Sequence, residues 1–143
     1  MHRTDLGRGE VEQWVTSPER TLLDCLRALP LTEAVAVADS ALRHGFGRAR
    51  LLALARGARG PGSRQVRYVA DLATPEAANP VESALRALAS EVPGPRVRPQ
   101  VPIHDPHFLG RPDLVDERLG IVLEADSFTW HASRAAFARD CRR

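Results

Sequence analysis

Leu22, Leu26 and Leu29 recur at helical spacing behind Ser17 and Pro18. That pair supplies an N-cap hydroxyl and then proline at the first helical position, and Pro30 stops the helix. Thr32 can cap a second helix, with Val35, Ala38 and Leu42 on one face and Gly45 just beyond its end. A third, short helix is predicted over 48–57, broken by "GARGPG", and Val66, Val69 and Leu72 predict a fourth. Ahead of them "VEQWVT", residues 11–16, reads as a short strand. The first half is therefore mostly helical.

"ATPEAANP" marks a boundary near residue 75. Asn79 and Pro80 begin a helix whose Val81, Leu85, Leu88 and Val92 keep one face apolar. After "PGP" the period changes to two, which predicts strands over 97–103, 109–116 and 120–126. The last two are joined by "DERLG", short enough for a hairpin. A final helix is expected from Ser133 into Arg143. The expected class is α/β (α+β), with a helical region at 1–75 and a second domain at 76–143.

Composition narrows the picture only a little. A chain of 143 residues, 43% hydrophobic and 27% charged, suits one soluble domain or a small domain with a helical attachment. No run approaches the ~18 apolar residues of a membrane span. The N-terminal "MHRTDLGRGE" lacks a secretory apolar stretch, so a cytoplasmic protein without membrane contact is expected. Cys25 and Cys141 are too far apart for a zinc pair, and Cys25 among leucines reads as a small core residue.

Charge says more. All 20 basic residues are arginine, which removes any candidate for a catalytic lysine. The net charge of +2 hides an uneven distribution. No acid stands between Asp39 and Asp71, yet Arg43, Arg48, Arg50, Arg56, Arg59, Arg64 and Arg67 all occur there. Such a stretch suits a polyanion such as DNA. It suits a solvated helical face, or a docking surface for an acidic neighbour, equally well.

The segment "GRPDLVDERLGIVLEADSFTWH", 110–131, sets Asp113, Glu124 and Asp126 within apolar runs. Strand parity puts Glu124 and Asp126 on one face, and the hairpin can bring Asp113 across from them. Carboxylates that close repel one another unless a cation lies between them. Magnesium, which prefers hard oxygen ligands, would remove the repulsion. Arg111 or Arg134 could balance Glu124 without any metal, and a solvent-facing hairpin would need neither. Glu82 stands three residues after Asn79, where a capping-box acid belongs, and that position is open to a metal role as well. Asp126 is either a ligand or a strand-end acid. His131 is either a proton carrier or phosphate contact, or a packing neighbour of Trp130. "HDPH", His104–His107, contains the turn signal Asp105-Pro106 and reads as a turn before a metal pair. Arg139, Arg142 and Arg143 either contact phosphates or solvate the last helix.

"RPDLV", a hairpin and then "IVLEADSFTWH" resemble the PD-(D/E)XK restriction-endonuclease-like superfamily. Within it the likeness is to a domain of unknown function related to the very-short-patch-repair (Vsr) endonucleases. The resemblance implies a core of helix, three strands, helix and strand. It implies metal ligands at Glu82 in "NPVESALR", Asp113 in "RPD" and Glu124 in "LEAD", with Asp126 and His131 assisting catalysis. It also implies Mg2+ or Mn2+ as cofactor and DNA phosphodiesters as substrate; from charge alone, Arg134, Arg139 and Arg142 are expected to join the earlier arginines on nucleic acid. "VTSPERTLLDCLRALPLTEAVAVADSALRHG", 15–45, resembles the C-terminal region of AbiEi-type antitoxin-like regulators, in which a winged helix commonly comes first.

Three departures follow. Asp126 stands where the superfamily has lysine, the last core strand is not reached, and the winged helix is missing. The chain is accordingly expected to be truncated at both ends. Two functions are expected: a metal-dependent endonuclease, or a non-catalytic DNA-binding regulator or antitoxin-like module on a degenerate nuclease fold.

Overall fold

The computed structural model describes residues 7, 9–12 and 14–125. Among them the fold is mixed α+β. A small hairpin, β1 (Val11–Glu12) and β2 (Val15–Thr16), precedes five helices: α1 (Pro18–Ala28), α2 (Leu31–Arg43), α3 (Arg48–Gly57), α4 (Ser63–Leu72) and α5 (Pro80–Glu91). The strands β3 (Arg98–Pro99), β4 (Ile103–His104), β5 (Phe108–Gly110), β6 (Leu114–Asp116) and β7 (Ile121–Leu123) follow. The run expected as a single strand at 11–16 folds back on itself, Val11 opposite Thr16. No described helix is long and apolar enough to cross a membrane.

Helix α1 starts as its cap requires. The Ser17 hydroxyl accepts the Arg20 N–H at 3.2 Å, and Pro18 occupies the first turn. Its far end is closed from another helix, since Gln65 Nε2 on α4 donates to the carbonyls of Leu26 and Leu29, both at 2.8 Å. Helix α2 begins at Leu31, so Thr32 lies inside the first turn. The Pro30 carbonyl already accepts the Ala34 N–H at 2.9 Å, which starts the ladder ahead of the expected cap. Leu26, Val35, Leu51, Val66 and Val69 are fully buried among Ala34, Ala38, Ala55 and Ala70. Each large side chain contributes about 1.5–3 kcal/mol by leaving water, and the alanines let the helices approach closely.

Helix α5 turns a different face inward from the one its periodicity predicts. Val81, Leu88 and Val92 are 52%, 53% and 55% exposed, while Glu82, Ser83, Arg86, Ala87 and Ala89 are buried. The helix packs on α2. An ion pair between Asp39 of α2 and Arg86 of α5 sets the orientation: Nη2 lies 2.6 Å from Oδ2. Arg86 also donates to the Leu72 carbonyl, and the Thr74 N–H donates to Asp39 Oδ1 at 2.8 Å. Ala87 joins the helical core.

Strands β3, β6 and β7 form an antiparallel sheet in that order, and β4 and β5 form a separate ribbon. The strand expected over 97–103 breaks after Pro99, because Gln100 takes a left-handed conformation at φ 56. The strand expected over 109–116 breaks between Gly110 and Leu114, where Pro112 has no N–H for a ladder.

Candidate functional site

The β6–β7 register pairs Leu114 with Leu123 and Asp116 with Ile121. One step further along, Asp113 and Glu124 stand opposite each other. The Ala125 N–H donates to Asp113 Oδ2 at 2.8 Å, and the Asp113 N–H points at Glu124 Oε2 at 3.4 Å. Asp113 is half-buried and Glu124 exposed. Two of the acids named from the sequence therefore meet across one hairpin. Asp126 and His131, together with Arg134, Arg139 and Arg142, lie outside the described residues.

Glu82 is 2% exposed and sits in the first turn of α5. Asn79 Oδ1 accepts the N–H groups of Val81 and Glu82 at 2.8 and 3.0 Å, an N-cap as expected. The Glu82 carboxylate accepts from the Ala78 N–H at 2.9 Å, Asn79 Nδ2 at 2.7 Å and Gln100 Nε2 at 3.1 Å. The Gln100 N–H in turn donates to the Asp113 carbonyl at 3.1 Å. A continuous chain of bonds thus runs from Glu82 through Gln100 to Asp113. Among the described residues, no group of three His, Cys, Asp or Glu side chains is drawn together tightly enough to hold a metal ion.

Sequence reasoning passed over Gln100 and Asp116. The flanking Pro99 and Pro102 are the signal for the first, since neither can donate to a ladder and the strand must break there. Asp116 is fully buried at the end of β6. Its carboxylate accepts the Arg96 N–H at 2.6 Å and the Leu119 N–H at 3.0 Å, with Arg118 Nη2 at 3.7 Å. The Arg96 N–H foremost, then Leu119 and Arg118, hold this carboxyl below the usual range against the opposing effect of burial. Asp116 locks the hairpin to the segment leading into β3. Aspartate at the start of "DERLG" is a turn signal that identifies it.

The arginine stretch is largely engaged within the protein. Arg43 donates to the Ala77 carbonyl and Arg48 to those of Ala73 and Asp71. Arg50 pairs with Glu19 and lies 5.1 Å from the centroid of the Phe46 ring. Arg59 donates to the carbonyls of Arg56 and Ala58, Arg67 to that of Ala58, and Arg27 from α1 to that of Arg59. Apart from Ala77, in the loop before α5, these carbonyls lie at or just beyond the ends of α3 and α4, where unpaired C=O groups concentrate negative partial charge. The side chains of Arg56 and Arg64 are exposed and donate none of these bonds.

His104 and Phe108 stack across the β4–β5 ribbon with centroids 5.5 Å apart, and the Asp105 N–H donates to the His107 carbonyl at 2.9 Å. "HDPH" is the turn its sequence predicts. Cys25 is half-buried and lines an open groove of about 560 Å³ with Val37, His44 and Phe46. No family model, curated protein or solved structure matches this chain.

Proposed function

We propose that this chain is a cytoplasmic, nuclease-like DNA-binding protein in which Asp113 and Glu124 hold a magnesium or manganese ion. The observation that carries the reading is their placement opposite each other on a hairpin, interlocked through backbone N–H groups. Hard carboxylate oxygens on adjacent strands suit Mg2+, which keeps several waters and takes one or two carboxylates plus a phosphate. When bound, such an ion polarises a phosphodiester and lowers the pKa of attached water.

The chain's own residues orient the donors. The bond from Ala125 occupies Asp113 Oδ2 and leaves Oδ1 for a ligand. A carboxylate offers about four lone-pair positions, and the three bonds to Glu82 leave room for one more on Oε1. Arg56 and Arg64, exposed on α3 and α4, are the arginines of the acid-free stretch best placed for phosphate contact. The engagement of Glu82 by its own helix start, and Asp126 in the superfamily's lysine position, favour the second reading: a non-catalytic DNA-binding regulator or antitoxin-like module on the same fold.

Thermal unfolding with and without millimolar Mg2+ or Mn2+ tests the site. A cation binding only the folded chain stabilises it by roughly 2.7 kcal/mol at a hundred times Kd. Glu124→Gln should erase most of that rise. Nicking of supercoiled DNA separates the two readings: a metal response with cleavage supports the nuclease, and one without cleavage supports the regulator. A parent protein that ignores both metals refutes the ion site.

A further inference from the structure

We infer that the outward stripe of α5 is a self-association surface, on which a second copy of this chain packs antiparallel about a two-fold axis. The inference is independent of the ion site proposed above.

Val81, Leu88 and Val92 expose about half of their surface each, at 52%, 53% and 55%, and Leu85 between them is half-buried. The helix packs on α2 through its other side, where Arg86 meets Asp39. Single exposed apolar residues are ordinary, whereas a continuous row of them marks a contact surface. This row follows spacings of four, three and four residues, with Val92 as the C-cap. That alternation keeps apolar side chains on the seam between two helices. The occupant it fits is another helix.

The order of the residues selects which helix. Read from either end, the row is Val-Leu-Leu-Val with the same spacings. A two-fold interface requires a patch complementary to itself, in which residue i meets j and j meets i. Antiparallel packing sets Val81 against the partner's Val92 and Leu85 against the partner's Leu88. Every layer is then filled by two residues of one type. On the flank, the small Ala84 faces the partner's Glu91, so no like charges are opposed there. Charge at the helix ends points the same way. The carbonyl end of α5, with the exposed Glu91, comes to lie beside the N–H end of the other helix, a favourable pairing of dipoles. Parallel packing would bring two carbonyl ends and two Glu91 side chains together.

A row of four side chains offers far less than the ~800 Å² that each partner gives to a standard interface. The pair should therefore be weak and depend on concentration. Sedimentation velocity of the full chain, from low micromolar to near-millimolar concentration, should show one chain passing toward two. Leu88→Glu places a carboxylate in each central layer and should weaken association at least about tenfold. Its urea midpoint, measured where the parent is a single chain, should match the parent's, because the position is exposed there. Val81→Cys and Val92→Cys combined in one chain should form disulfides between chains on oxidation, with peptide mapping showing the two new thiols joined. Val81→Cys alone should not link to itself, since the two-fold separates identical positions by ~16 Å against a Cα–Cα reach of ~7 Å. A parent that stays a single chain throughout, or Leu88→Glu associating as strongly as the parent, would overturn the inference. So would Val81→Cys linking to itself, or the double-cysteine variant failing to link. A Leu88→Glu variant with a lowered midpoint at low concentration would place another part of the same chain on the stripe, which also overturns it.

Discussion

Asp39→Ala removes the anion from a pair sealed inside the helical core, and the loss should be severe. Arg86 and Asp39 are 4% and 0% exposed at a separation of 2.6 Å. The substitution leaves Arg86 with the Leu72 carbonyl as its remaining named acceptor, while its Nε is buried without a partner even in the parent. It also strands the Thr74 N–H, which now reaches Asp39 at 2.8 Å. Removing one partner of a buried pair typically costs about 3–5 kcal/mol, because the other charge stays desolvated. Domains have only ~5–15 kcal/mol of stability in all, so the variant should stand close to unfolding. Asp39→Leu combined with Arg86→Met removes both charges, and the double variant should return to within about 1 kcal/mol of the parent or exceed it. Urea denaturation followed by far-ultraviolet circular dichroism, run as a double-mutant cycle, measures the coupling directly. A single-variant loss under about 1 kcal/mol, or a double variant as weak as the two losses summed, would refute the reasoning.

Asp116 should govern part of the acid limb of stability. Its folded carboxyl is held below the ordinary value of 3.8, so its contribution is complete above that value and is lost as pH falls through the folded pKa. Urea midpoints across acidic pH should therefore fall less steeply for Asp116→Asn than for the parent. Arg56→Gln with Arg64→Gln should leave thermal stability unchanged and weaken DNA binding; if both reach phosphates, the slope of log affinity against log salt should shrink by about 1.8, at ~0.9 per contact. Arg48→Gln should do the reverse, lowering stability by roughly 1 kcal/mol through its lost carbonyl bonds while the salt slope holds. Filter binding across salt, paired with melting curves, checks both.

Local signals were legible in the chain because their physics acts within a few residues. Ser17-Pro18 and Asn79-Pro80 start helices where expected, since a cap bonds N–H groups only two or three positions away. The meeting of Asp113 and Glu124 was legible for a similar reason. A short loop fixes hairpin register, and strand parity then decides which side chains face one another. What the tertiary structure alone decided depends on partners far along the chain. The stripe Val81, Leu85, Leu88 and Val92 is the more apolar side of α5, yet Asp39, 47 positions away, draws Arg86 inward and leaves Val81, Leu88 and Val92 exposed and Leu85 half-buried. Arginines without neighbouring acids fit a DNA contact and a helix-end clamp equally well. The carbonyls that claim Arg43 and Arg48 come from 23 to 34 positions on, and no local pattern brings them near. Gln100 looked like one more strand position until its amide met Glu82. Periodicity reports which face of a single element is apolar, whereas the face that is buried depends on which other element supplies a charge, a carbonyl or a close-packing alanine.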